Sequence, residues 1–289
     1  MKDILATGLL FPEGPAILSN GTVLCSEQGA SQVTIAEGDG GKAYAKTGGS
    51  PNAAVVGKDD IVYVTQNGGA VGEWRAAENI SPSIQRIDTD KTITEVCTSS
   101  NDGDLKAPND LVFSKDGNLW FTDSGQAFDF NNMTEHSRLI RLSTEGKAET
   151  ILDTGPVYNN GITEDNLGNI WWAETVPLAM CKLINGKREK MCVLPENHFP
   201  DGFVAAEDGR IFIATTYGHN ITIIKPDGKI DGFIELDDHA IPTNCIFDGT
   251  DLIISDFGTG WEKNEKSGRI WRVSTDAKGH SRNLGIINK

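Results

Sequence analysis

Residues 199–203 read Phe199-Pro200-Asp201-Gly202-Phe203. Alone, Pro-Asp-Gly is an ordinary turn signal. Near-copies of it return along the chain: FPEGP at 11–15, SPNAA at 50–54, APNDL at 107–111, YNNGI at 158–162 and PTNCI at 242–246. Each copy carries one polar residue that aligns with Asp201, namely Glu13, Asn52, Asn109, Asn160 and Asn244. Successive spacings between these six markers are 39, 57, 51, 41 and 43 residues. Their mean, about 46, lies in the range of propeller-type repeats.

The stretch after each marker is shared as well. It is an apolar alternation, a turn, then a second alternation, as in NDLVFSKDGNLWFTD from Asn109, NGITEDNLGNIWWAE from Asn160 and DGFVAAEDGRIFIAT from Asp201. The turns KDG, NLG and EDG supply residues that tolerate positive φ where a hairpin needs them. Fourteen residues after the first five markers stand Glu27, Gln66, Asp123, Glu174 and Thr215; in the sixth repeat, two residues shorter, Asp256 takes that place. Further strand-like runs follow, at 83–89 and 92–98, at 179–185 and 189–194, and at 220–226 and 232–236. No window sustains a helical period. Four antiparallel strands per unit, six times over, predict an all-β fold, a six-bladed β-propeller of four-stranded antiparallel blades, with 1–289 as a single domain. Closing such a ring takes a strand from one terminus. Ile4–Leu10 stands in the right relation to Glu13 to complete the last blade beside 244–249, 251–256 and 269–274, with the tail 281–287 as its rival.

The net charge of −15 disfavours nucleic acid or an anionic membrane as partner, because both repel a negative surface. Five cysteines without CxxC spacing read as buried reduced thiols. The N-terminus lacks the apolar core of a signal peptide, and no stretch has the length of a membrane span. A cytoplasmic protein is expected.

In a propeller the first strand of each blade lines the central channel, so the six markers form a ring. Pro suits the entry of such a strand because it fixes φ and lacks a donor. Asn or Asp before Gly is ordinarily only a turn former. Six in register, with two carboxylates and several amide oxygens converging on one axis, call for a positive occupant. A hard divalent cation fits, and the lack of His or Cys in the ring argues against a site built for zinc or copper. Calcium is the first expectation; magnesium, manganese or zinc are the other occupants. The longest insertions, 67–82 and 124–137, and the run 257–266 all follow a second strand and emerge at the ring's end of the channel. They read as lid and substrate walls, with Trp74, Phe128, Phe130, His136 and Trp261 as candidates, or as loops packed on their own blades. Trp120, Trp171, Trp172 and Trp271 lie in strand patterns and read as blade core.

The set FPEGP, APNDLVFSKDGNLWFTD, NNGI and FPDGFVAAEDGRIFIAT resembles the senescence marker protein (regucalcin), gluconolactonase and luciferin-regenerating family, in order and over essentially the whole chain. The resemblance implies a six-bladed propeller with a divalent metal in its channel and, in many members, lactonase activity. It implies metal-binding roles for Glu13, Asn160 and Asp201, and a metal or substrate contact for Asn109. Asn52 and Asn244 join the ring as candidate substrate contacts. Regucalcin-like members carry a sugar-binding arginine two residues before the Asn-Asp asparagine; Ala107 stands there in this chain.

The function expected is metal-assisted hydrolysis of a lactone, a small-molecule substrate, with Asp201 as general base for the attacking water or as direct nucleophile. No GxSxG, GxGxxG or P-loop sequence occurs. His198, three residues before Asp201, reads as a loop residue or a proton shuttle. The other readings are a phosphotriester or fluorophosphate hydrolase on the same site, and a metal-binding propeller without catalysis.

Overall fold

The computed structural model describes residues 1–69, 76, 78–126, 131–259 and 265–288. It is a six-bladed β-propeller; among the described residues the helical content is three short 3₁₀ turns. The innermost strands of blades 1 to 6 are Pro12–Ile17, Pro51–Val56, Pro108–Phe113, Asn159–Glu164, Pro200–Ala205 and Pro242–Asp248. Each packs against the innermost strand of the next blade, and blade 6 against blade 1, around a closed channel. Blades 1 to 5 are antiparallel sheets of four strands taken in chain order, with Gly38–Asp39 left outside the blade 1 sheet.

Blade 6 is closed by the N-terminus. Lys2–Leu9 pairs antiparallel with Gly268–Ser274, Ile4 opposite Trp271. Its far side takes a short parallel strand, Gly38–Asp39, reaching over from blade 1. The C-terminal segment 279–288, which contains the rival run 281–287, has another task. It crosses the end of the channel at which the innermost strands finish, and it bonds to every blade. His280 N donates to Ala205 O of blade 5, and Gly279 N to Gly249 O of blade 6. Arg282 donates to Ile17 O of blade 1 (2.6 Å) and Asn283 to the Glu164 carboxylate of blade 4 (2.5 Å). Ile287 N donates to the Tyr63 hydroxyl of blade 2 (2.9 Å), and Asn288 N to Thr144 O of blade 3 (2.8 Å).

Strand alternation sends successive side chains to opposite faces, so a blade buried on both faces needs apolar residues at both. Six apolar clusters each fill one gap between neighbouring blades. The adjacent Trp171 and Trp172 show the rule: Trp172 fills the gap toward blade 3 and Trp171 the gap toward blade 5. Trp120 and Trp271 are buried in the same way. All five cysteines are free, and four are buried.

The residue fourteen beyond the marker is a latch. It ends the second strand, and in four blades it accepts a hydrogen bond from the backbone that leads into its own blade's first strand. Glu27 accepts from Leu10 N (2.9 Å), Gln66 from Ser50 N (2.6 Å), Asp123 from Ala107 N (2.6 Å) and Asp256 from Ile241 N (2.7 Å). Two of the acidic latches face an arginine on the third strand. Asp123 faces Arg138 and Asp256 faces Arg269, each forming an ion pair, whereas Gln66 faces Ser83 and Thr215 faces Asn220.

Asp123 and Arg138 are both buried. Removing one member of a buried pair strands the other charge. We therefore expect Asp123→Ala to lower stability by about 3–5 kcal/mol in urea unfolding, and Thr215→Val, at the uncharged latch, by about 1 kcal/mol. Equal small losses at the two positions would show that the latches do not carry blade stability.

Candidate functional site in the central channel

All six innermost strands share one irregularity. Their first residue pairs with the latch at the end of the second strand, and the register then slips by one residue, directly afterwards in blades 2 to 6 and after Glu13 in blade 1. Such bulges re-aim side chains, and the marker residues sit in them. Hydroxyl groups stitch the bulged segments together across blades. Thr65 donates to Asn109 O (2.5 Å), Thr122 to Asn160 O (2.6 Å), Thr175 to Pro200 O (2.8 Å) and Thr243 to Pro12 O (3.1 Å). The ring backbone is thus fixed from blade to blade.

Glu13 and Asp201 come within each other's field. Burial, then the Asp201 charge, holds the Glu13 carboxyl well above the ordinary glutamate range, while Gly14 N–H (2.8 Å) and the Asn244 side chain hydrogen-bond to it. Burial, then the Asp110 charge, raises Asp201, which is hydrogen-bonded to Asn160. Asn160 Nδ2 is also anchored on Thr175 Oγ1 (3.1 Å). Asn52 Nδ2 donates to the carbonyl and to the side-chain oxygen of Asn109 (3.0 and 3.1 Å), so Asn52 is tied to its neighbour. Glu13, Asn52, Asn109, Asn160 and Asn244 are buried, while Asp201 keeps part of its surface open.

One correction and one addition follow from the register. Pro242 faces the latch Asp256, so Thr243, not Asn244, is the positional equivalent of the other five markers. Asn244 stands one residue further along, level with Asp110, and still hydrogen-bonds to Glu13 and Asp110. Asp110 is a third buried carboxyl in the channel. Burial pushes it up to about 7 despite hydrogen bonds from Leu111 N (2.8 Å) and Ile162 N (3.2 Å). The Asn-Asp pair in APNDL contained it, but strand alternation alone turns the residue after a marker away from the channel; only the bulge brings it in. Tyr158, the residue before the blade 4 strand, is buried, with its phenol in the field of Asp201 and Glu13.

Below Asp110 and Asn244 lies a cavity of about 100 Å³, floored by His280, Arg282 and Asn283 of the tail. His136 is not at the ring: its Nδ1 contacts Asp153 on the outermost strand of blade 3 (2.9 Å), and the side chain is largely exposed. His198 bonds to Glu196 O and packs on Phe233. Trp74, Phe128, Phe130 and Trp261 lie outside the described residues.

Among the described residues, the groups acting on Glu13, Asp110 and Asp201 are one another, amides and backbone N–H donors, with no cationic side chain. No three His, Cys, Asp or Glu side chains among them are arranged to hold a metal alone. A cation held here would draw on amide oxygens as well as carboxylates, and an all-oxygen donor set of that kind suits a hard divalent ion.

The family described as the SMP-30/Gluconolactonase/LRE-like region matches residues 11–255, and the chain belongs to it. A gluconolactonase of Zymomonas mobilis is 26% identical over 286 residues, covering 88% of this chain and 78% of that protein. Two solved structures share the fold. A gluconolactonase of Xanthomonas campestris superposes with a TM-score of 0.73 at 20% identity, over 94% of this chain and 89% of its own. Regucalcin of Agrobacterium tumefaciens, described as a calcium-binding protein, gives a TM-score of 0.74 at 15% identity, over 97% and 95%. Membership of this family supports lactone hydrolysis. No helix among the described residues is long and apolar enough to cross a membrane.

A side chain at Gly202 would collide with the ring. A Cβ there would lie 2.0 Å from Asn244 Cγ. We expect Gly202→Ala to displace Asn244 and to lower stability by about 1–3 kcal/mol, the cost of overpacking a filled site. A melting temperature equal to the parent's would show that Asn244 is not held against Gly202.

Proposed function

We propose that this chain is a lactonase that works with one divalent cation in the channel. Glu13, Asp201, Asn160 and Asn109 are the residues that would hold it. The observation that carries this reading is the buried Glu13 carboxyl held in the field of Asp201, with no cationic side chain among the described residues acting on either. Calcium is the first cation to test, supported by the description of the Agrobacterium relative; magnesium, manganese and zinc follow. A bound divalent cation supplies Lewis acidity, which polarises an ester carbonyl and stabilises the oxyanion that forms on attack.

The protein's own groups do the rest. Asp201, the one part-open carboxylate of the ring, would take a proton from the attacking water. The water oxygen bonds to the carbonyl carbon, the ring C–O bond breaks, and the departing alkoxide takes the proton back. Asn52 steadies Asn109, and Asn244 hydrogen-bonds to Glu13. Ala107, buried and bonded to Asp123, offers no guanidinium to a sugar hydroxyl. Gluconolactone and lactones without sugar hydroxyls therefore both belong among the test substrates.

The experiment is proton release on sugar and aliphatic lactones, with an organophosphate alongside. Chelated protein is assayed first, then with each cation restored. Turnover should require a cation, and Asp201→Ala should reduce it by about 10²–10⁴-fold, the usual contribution of a general base. No turnover on any lactone with any cation would overturn the lactonase reading. Turnover on the organophosphate alone would move the chemistry to a phosphorus centre.

A further inference from the structure

Thr175 stands just after Glu174, the blade 4 latch. In blades 2 and 3 the hydroxyl that reaches the next blade belongs to the residue before the latch: Thr65 donates to Asn109 O and Thr122 to Asn160 O. Within their own blades these two hydroxyls meet backbone N–H groups, those of Ala53 (2.9 Å) and Asp110 (3.1 Å). Blade 4 has Ala173 at that position, with no hydroxyl to offer. Its link comes from Thr175 instead, two residues on, and reaches the Pro200 carbonyl that leads into Asp201 (2.8 Å). Within its own blade Thr175 meets the marker side chain itself: Asn160 Nδ2 lies 3.1 Å from its Oγ1. Thr175 is buried and held on both sides of its backbone, its N–H donating to Tyr158 O (3.0 Å) and its carbonyl accepting from Leu178 N (3.2 Å).

The orientation of the Asn160 amide can be read from this chemistry. A backbone carbonyl only accepts, so the one hydroxyl proton of Thr175 lies on the bond to Pro200 O. Oγ1 then has only lone pairs to offer Asn160, and the amide atom facing it is the NH₂ donor. Turning the amide over would set Oδ1 against an oxygen with no proton left to give. Asn160 Oδ1, the kind of oxygen a hard cation takes, is fixed at the other end of the amide. One hydroxyl thus holds the Asn160 side chain and the backbone next to Asp201 in a single frame.

We propose that Thr175 is a positioning residue of the channel site, which presents Asn160 Oδ1 to a cation and ties it to the strand that carries Asp201. This rests on the cation reading given above and adds a residue that acts through Asn160.

The test uses the full chain, stripped with chelator and titrated calorimetrically with calcium, magnesium, manganese or zinc alone. The parent is compared with Thr175→Val, Thr175→Ser, Asn160→Ala and the double variant Thr175→Val with Asn160→Ala. Thr175→Val keeps the shape and loses the hydroxyl; it should weaken cation binding by about 5–10-fold, the effect of one lost hydrogen bond. Thr175→Ser keeps the hydroxyl and should bind within about twofold of the parent. In the Asn160→Ala background Thr175→Val should change affinity by less than about twofold, since its partner is gone. The fall in melting temperature from the bare Pro200 carbonyl should persist in both backgrounds, which separates the link between blades from the positioning of Asn160. An equal loss of affinity with and without Asn160 would overturn the inference, as would a Thr175→Ser that binds as weakly as Thr175→Val. Should Thr175→Val fail to fold, or Asn160→Ala bind too weakly to read, a crystal structure of the cation-loaded parent decides. Asn160 Oδ1 should then be a ligand with Nδ2 on Thr175, and an Asn160 outside the coordination sphere would overturn the inference. A parent that binds none of the four cations overturns the cation reading and this inference with it. A parent that binds while Thr175→Val binds equally well overturns the inference alone.

Discussion

Glu13 is buried at the head of the channel, where the Asp201 charge raises the cost of ionising it, and the Asp110 charge does the same to Asp201. Two like charges in a poorly hydrated site repel strongly, and neither has a cationic partner among the described residues. Such a pair persists only when the surrounding structure holds it in place and something offsets the charge. Much of the propeller's geometry serves the first need. The bulge repeated in six innermost strands turns the markers toward the channel. The threonine hydroxyls fix those segments from blade to blade, and Gly202 leaves room for Asn244. A divalent cation would meet the second need.

The frame around this cluster is stiffened at both ends. At the ring's end, four latch residues hold the entry into their own blades, and three blades add an ion pair to an arginine. At the other end, the tail bonds to all six blades and floors the cavity below Asp110. The N-terminal strand closes the sheet of blade 6 and is itself held to blade 1. Two terminal segments far apart in sequence thus fix the geometry on which a site at the axis depends.

The fold was legible because a propeller repeats its signals. Marker, turn and latch recur at fixed offsets, and the closing strand could be placed by comparison with the strand that precedes each other marker. The tail was not legible in the same way. It forms no strand, and its order comes from single bonds to loops that are remote in sequence, such as Ile287 to Tyr63. In the site, the markers of blades 1 to 5 were placed by alignment. Asn244 was one residue off, because alignment on Asn overrode the Pro242–Asp256 register. Asp110 and Tyr158 were missed because a bulge and a left-handed residue break the alternation from which facing is inferred. His136 looked available to a substrate in a long loop, but its partner Asp153 lies on the outer strand.

A cation held by Glu13 and Asp201 together is the centre of the proposed site. The most direct measurement is the melting temperature of chelated protein as calcium is added, for the parent, Glu13→Gln and Asp201→Asn. A ligand that binds the native state at 100 times its dissociation constant stabilises by about 2.7 kcal/mol. The parent should therefore show a rise in melting temperature that saturates with calcium, and both variants should lose it. The variants should also melt above the chelated parent, because each removes one of two repelling charges. A parent unmoved by calcium or any other divalent ion, or variants that keep the full rise, would contradict the central claim.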